Sequence, residues 1–320
     1  MKRLSLFLLL ALIAAALLSV AAGKVWVPWG AWTADDPRGI IIAELRLPRT
    51  VLAMAVGAAL GLSGAVMQGY LRNPLADPGL FGVSSGAALG AVLSLFFGYA
   101  AQAWLLPGFA LAGAGVTMAL LALIAGRSGS LILFTLAGMI LTSIAGSLTT
   151  LAISLAPTPF VASEIVTWLI GALTDRSWDD VKVALPLIAG GMAVLATTAR
   201  SLDALTLGEA AARSIGVDPR RLQLAVIAGT ALTVGASVAT AGVIGFVGLM
   251  VPHLVRPLAG NRPSAILLPS ALGGALLVTV ADSLVRIAPT VSELRLGVAM
   301  SMLGGPFFLY LLIRMRRGLA

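Results

Sequence analysis

Few side chains in this 320-residue chain are equipped for chemistry, and their spacing narrows what they can do. His253 is the single histidine and cysteine is absent, so neither a His/Cys metal cluster nor a thiolate nucleophile can be assembled. A lone His253 between Pro252 and Leu254 reads as a hydrogen-bonded structural residue before it reads as an acid–base catalyst. No GxxxxGK[ST] run occurs, so the chain has no P-loop with which to hold ATP. Asp282 and Glu293 stand near the ends of long apolar stretches, and Gln68 is the main polar side chain deep in one. A carrier driven by an ion or proton gradient places carboxylates or histidine at mid-membrane, so this scarcity counts against secondary transport. The remaining candidates are cationic. Arg46 and Arg49 lie three residues apart, on one helical face, at the start of an apolar run. A cation there opposes the positive end of the helix dipole and needs compensation from elsewhere.

The elements that must position these groups are membrane spans. The chain is 59% hydrophobic and 11% charged, with a mean hydropathy of +1.03. Soluble domains run at roughly 45–50% apolar and about 25% charged, which excludes a water-soluble enzyme and a disordered chain. The 21 Lys and Arg outnumber the 13 Asp and Glu, but they are scattered singly, which excludes a nucleic-acid-binding module. A helical crossing needs about 20 apolar residues, so ten crossings leave no room for a sizeable soluble domain.

Charge-free runs place the crossings. Leu4–Ala22 is the first, although Met1-Lys2-Arg3 and Val20-Ala21-Ala22 also fit a signal peptide with a cleavage site. Thr50–Leu71 is the second, with Pro48 just ahead of it. Pro78–Gly126 is too long for one helix and is divided at Pro107-Gly108. The fifth runs from Ser128 to about Ala156, and the sixth from Val183 to about Ala199. Leu222–Pro252 divides near Thr240–Gly245 into the seventh and eighth. Pro263–Ala281 and Leu296–Ile313 complete ten. With both termini inside, the larger share of the basic residues is cytoplasmic, as the positive-inside rule favours. Trp26, Trp29 and Trp32 then form an outer aromatic belt. The pairs Gly57/Gly61 and Gly86/Gly90 permit close helix approach, without naming a partner.

The loops carry a family pattern. Arg46-Leu47-Pro48-Arg49-Thr50, Gly64-Ala65-Val66-Met67-Gln68, Arg72-Asn73-Pro74-Leu75-Ala76-Asp77-Pro78 and Gly82-Val83-Ser84-Ser85-Gly86 occur in order in the first half. The second half has Leu207-Gly208-Glu209-Ala210-Ala211-Ala212-Arg213, Gly245-Phe246-Val247-Gly248-Leu249, Val251-Pro252-His253-Leu254-Val255-Arg256, Ala281-Asp282 and Gly304-Gly305-Pro306-Phe307-Phe308. From about residue 44 onward this resembles the FecCD-type permeases, the membrane subunits of ABC importers for iron–siderophore complexes, haem and cobalamin. One departure is Arg295, where the family usually has proline.

The resemblance implies an all-α, type II importer permease fold of about ten transmembrane helices, a single domain over residues 1–320. It implies a bacterial inner (plasma) membrane protein with both termini cytoplasmic, no catalysis of its own and no cofactor. Its partners would be a second copy of itself, two cytoplasmic ABC ATPase subunits, membrane lipid and a periplasmic or lipoprotein substrate-binding protein; nucleic acid has no part. The resemblance gives Arg46, Arg49 and Arg286 the task of receiving glutamates of the binding protein. The alternatives are snorkelling to headgroups for the first two and simple dipole complementation for Arg286. Within the cytoplasmic loop 200–221, Leu207, Gly208, Glu209, Ala212, Arg213 and Gly216 would form the coupling helix that enters a cleft of the ATPase. A solvated loop helix ended by Gly216 is the plainer reading. Asn73 and Leu75 match inner-gate positions, and Ser128 and Ser130 lie in the other gate loop, where any short hairpin also wants small polar residues. Glu164–Trp178 resembles an outer re-entrant segment. An ion-coupled carrier and a membrane-embedded enzyme are the competing functions.

Overall fold

A chain this apolar must satisfy its backbone within its own segments once it leaves water, and helices do so. The computed structural model describes residues 2–24, 27, 38–99, 102, 104–125, 130–289 and 293–317. Among them there are helices and connecting turns and no strand. The long helices are α1 (Lys2–Ala21), α3 (Leu47–Tyr70), α5 (Leu105–Ala125), α6 (Leu131–Ser154), α8 (Trp178–Thr197), α11 (Pro219–Ala241), α13 (Pro263–Ile287) and α14 (Leu296–Arg317). All eight are long and apolar enough to cross a membrane. Three shorter apolar helices accompany them, α4 (Val83–Phe96), α7 (Pro159–Leu169) and α12 (Val247–Ala259), and with α4 and α12 counted the order is that of the ten expected runs. Two short helices remain among the described residues, α9 (Ala199–Leu205) and α10 (Glu209–Ser214).

Several boundaries move, for local reasons. Helix α3 is entered through α2 (Arg38–Ile40) and a π-helical turn, Ile41–Arg46, so the second passage begins well before Thr50. The division between α4 and α5 falls at Phe97–Trp104, where Gly98 is left-handed (φ 74°), and not at Pro107-Gly108. Pro107 sits in the first turn of α5, where its missing N–H has no intrahelical acceptor to lose. Helix α8 starts at Trp178 and not Val183, because Ser177 and Asp180 form a capping box. A short helix, Pro159–Leu169, is started by the Thr158 side chain and Pro159, and it overlaps only the first part of the segment expected at Glu164–Trp178. The break between α11 and α12, residues 242–246, falls where the sequence divides it. There Gly242 and Phe246 both have positive φ, at 68°. The Trp belt and Ser128 lie outside the described residues.

The core is α3 between α13 and α11. Helix α3 buries nineteen of its 24 residues, and glycine is what lets its neighbours approach. A Cβ on Gly57 would stand 2.3 Å from the Gly274 carbonyl oxygen, and one on Gly64 2.0 Å from that of Gly248. The other glycine pair joins α4 to α5, since a Cβ on Gly90 would meet the Phe109 carbonyl oxygen at 2.0 Å. Ser63 and Thr233 hydrogen-bond at 2.7 Å between α3 and α11.

Candidate functional site

At the end of the bundle where α1 and α13 finish and α3 begins, two arginines and two acids meet, three of them buried and Glu293 partly exposed. Arg49, on the first turn of α3, donates from Nε to both Asp282 carboxylate oxygens at 3.0 and 3.1 Å, and from Nη2 at 2.7 Å. Its Nη2 also donates to Glu293. Arg286, one turn beyond Asp282 on α13, pairs with the same carboxylate at 3.2 Å. Asp282 is fully buried, and Arg46, Arg49 and Arg286 are each less than a tenth exposed. A buried carboxylate between two guanidiniums is the arrangement that makes ions tolerable in a low-dielectric setting.

The third arginine serves a helix end. Arg46 Nη1 donates to the carbonyls of Val20 and Ala21 at 3.2 and 2.7 Å, and Arg286 adds bonds to Ala22 O and the Ser19 hydroxyl. The last carbonyls of a helix have no intrahelical donor, so cations complete the end of α1. The Trp178 indole donates to Ala43 O at 2.8 Å and fixes the π-helical turn against α8. Above the cluster lies a cavity of about 250 Å³ lined by Lys24, Arg46, Arg49, Arg176, Arg286 and Glu293 among others. The sequence-predicted docking arginines therefore do converge, but on internal acids as well as on an opening to solvent. The compensation that Arg49 needs at a helix N-terminus comes from Asp282 and Glu293.

At the opposite end, α10 is a six-residue helix bracketed by Gly208 (φ 98°) and Gly216 (φ 91°). Both conformations are left-handed ones that glycine enters without penalty. Ala212 is buried beneath α10, whereas Leu207 and Ile215 are 69% and 64% exposed on its flanks. Two large aliphatic side chains held in water beside Arg200 and Arg262, around a cavity of about 450 Å³, form a surface suited to a partner. Asp203 anchors this loop: its carboxylate accepts from Ser264 N at 2.9 Å, from Ser264 Oγ at 2.6 Å and from Arg262 at 3.3 Å. It thereby caps α13 from outside that helix.

The residues expected at the gate lie on this same side. Asn73 Oδ1 accepts from Leu75 N at 2.9 Å, an Asx turn that shapes the loop after α3. Asn73 and Leu75 line a cavity of about 480 Å³ with Ile132, Leu136 and Met139 of α6. Ser130 caps α6 by accepting from Leu133 N at 3.3 Å, so its hydroxyl has a local structural task. Gln68 is buried one turn from this end of α3, not at mid-span. It donates to Gly248 O and Leu249 O at 3.3 Å and accepts from Arg256 at 2.9 Å. His253 packs edge-on against Phe307, with ring centroids 6.0 Å apart, and no acidic or metal-ligating cluster surrounds it among the described residues.

A further cavity of about 240 Å³ is lined by small residues such as Ser84, Ser85, Ala88 and Gly146, by Leu60, Val243 and Ile244, and by Asp77. Asp77 accepts from Gly79 N at 2.8 Å and starts the 3₁₀ turn Pro78–Phe81. Burial pushes its carboxyl above the ordinary carboxylate range, against the pull of the Gly79 and Leu249 N–H groups. Such a lining offers contact and few strong ligands.

Asp282 and Glu293 stand out in the sequence and Asp203 does not, but for none of the three does a motif announce the partner. Asp282 carries a detectable signal, an acid four residues before an arginine in an otherwise apolar helix. Glu293 and Asp203 act across more than fifty residues of sequence, and no local spacing announces them.

Comparison with known proteins covers the whole chain. The model of the FecCD transport family matches residues 9–314. The Fe(3+) dicitrate transport system permease protein FecD of Escherichia coli (strain K12) is 38% identical over 97% of this chain and 98% of its own. The vitamin B12 import system permease protein BtuC of Shigella boydii serotype 18 is 39% identical over 98% of this chain and 94% of its own. A solved structure described as an inward-facing conformation of a metal-chelate type ABC transporter superposes with a TM-score of 0.90 at 31% identity, covering 98% of this chain and all of that one.

Proposed function

The chain belongs to the FecCD transport family, and from that premise we propose that it is the permease subunit of an ATP-driven inner-membrane importer for an iron(III)–siderophore, haem or cobalamin. Two copies would enclose the path at their common axis, with two ATPase subunits beneath and a substrate-binding protein above. The end bearing α9, α10 and both termini is then cytoplasmic. The arginine-lined end faces outward, where its opening receives carboxylates of the binding protein. Charge pairing there would fix register and speed encounter more than it adds affinity.

The observation that carries this reading is the pairing of a helical, span-rich bundle whose sequence lacks a nucleotide-binding motif with the glycine-bracketed helix α10, flanked by exposed Leu207 and Ile215. Energy must reach such a bundle from another chain, and α10 offers the surface for it. The small-residue lining of the cavity beside Asp77 suits release of a bulky cargo, with selection left to the binding protein.

Uptake of ⁵⁵Fe-labelled ferric dicitrate and ⁵⁷Co-labelled cobalamin by cells co-expressing the chain with its ATPase and binding protein is the test. Accumulation of one of them is expected to stop on ATP depletion and to survive collapse of the proton gradient. The opposite pattern would support an ion-coupled carrier and overturn the importer reading.

A further inference from the structure

Helix α3 ends in a Schellman arrangement: Asn73 N bonds to Gln68 O at 3.1 Å and Arg72 N to Gly69 O at 3.4 Å. That geometry places Arg72 in the left-handed region, at φ 50°, where glycine is the ordinary occupant and a longer side chain is strained. Nothing about the backbone asks for arginine there. The side chain is half-exposed, so packing does not ask for it either. What it reaches is Glu209, the first residue of α10, at 3.8 Å.

The two residues stand at opposite ends of a short mechanical connection. Arg72 immediately precedes Asn73 and Leu75, whose loop borders the cavity at the foot of α6. Glu209 begins the short helix that Gly208 and Gly216 bracket with positive φ. The preceding helix α9 is held separately, to the start of α13, through Asp203. A half-exposed pair at this distance contributes little to stability, so its value lies in register: it fixes where α10 sits relative to the loop after α3.

We propose that Arg72 and Glu209 form a strut that passes displacement of α10 to the gate loop Asn73–Leu75. Both are positioning residues, and the proposal rests on the reading that α10 receives the ATPase. Glu209 then works chiefly toward its own chain and not as the contact made with the ATPase. Coupling of this kind requires only that the pair persist through the movement, and two half-exposed ions can follow one another by a few ångströms while a packed apolar contact cannot.

The chain has no cysteine, so Leu75→Cys supplies a single thiol at the gate. Its rate of modification by a charged maleimide is measured in the assembled permease–ATPase complex in nanodiscs, with and without ATP plus vanadate. With the native pair, trapping is expected to change the rate about five-fold or more. Arg72→Glu should abolish most of that change, and Arg72→Gly should do the same while relaxing the backbone, with ATP hydrolysis retained in both. Combining Arg72→Glu with Glu209→Arg should restore the response. A full response in Arg72→Gly, or no recovery in the exchanged pair once assembly is verified, overturns the strut. Absence of any response with the native pair overturns the importer reading itself, and the strut with it.

Discussion

At the scale of single residues, the cluster around Asp282 shows how three cations can be kept under a protein surface. Asp282 is the group on which Arg49 and Arg286 both depend, and it has no exposure to share the burden with water. Removing one partner of a buried pair leaves an uncompensated charge and costs about 3–5 kcal/mol. Asp282→Asn is therefore expected to lower thermal stability of the detergent-solubilised chain steeply. Glu293→Gln, at a partly exposed position, is expected to cost about 1 kcal/mol or less. Circular dichroism melts of the two variants side by side give the comparison; equal losses would mean that Asp282 is not the keystone. The same geometry cautions against reversing Arg49 to probe docking, because a glutamate there would face Asp282 and Glu293 at contact distance.

At the scale of elements, the helices meet through backbone where glycine removes the side chain. Gly57→Val would drive a methyl group into the Gly274 carbonyl across α3 and α13, with neither backbone able to yield. Gly115 lies in mid-α5, where an added Cβ would meet nothing within 4 Å, so Gly115→Val carries only the small difference in helix propensity. The first is expected to lose folded, monodisperse protein on size-exclusion chromatography and the second to keep it. The GxxxG spacing was visible in the residues, but its partners were not: one pair serves α13 and the other α5. Boundaries followed a similar rule. The Gly242–Phe246 break was legible because its residues disfavour a continuing helix. The start of α3 was not, since a π-helical turn of Ile, Ala, Glu, Leu and Arg has no distinctive composition.

For the whole molecule, counting apolar runs and basic residues predicts ten passages and one orientation, and that orientation would give each end its proposed partner. In the cysteine-free chain, Ile215→Cys and Lys182→Cys mark exposed positions on opposite ends of the bundle. In intact spheroplasts an impermeant maleimide is expected to label position 182 and to reach position 215 only after lysis. The reverse pattern would invert the molecule and exchange the binding-protein and ATPase faces.

The sequence by itself determined the class of the protein, because hydropathy over about 20 residues is a local property that the bilayer reads directly. Its loop motifs likewise pointed to the family. Only the tertiary structure decided how the charges are used. Arg49 meets an acid 233 positions away, Arg46 completes the end of α1, and Arg72 occupies a strained backbone position from which it reaches Glu209. A charge in a low-dielectric bundle takes whatever partner packing brings within reach, and packing between distant helices is not written in their spacing.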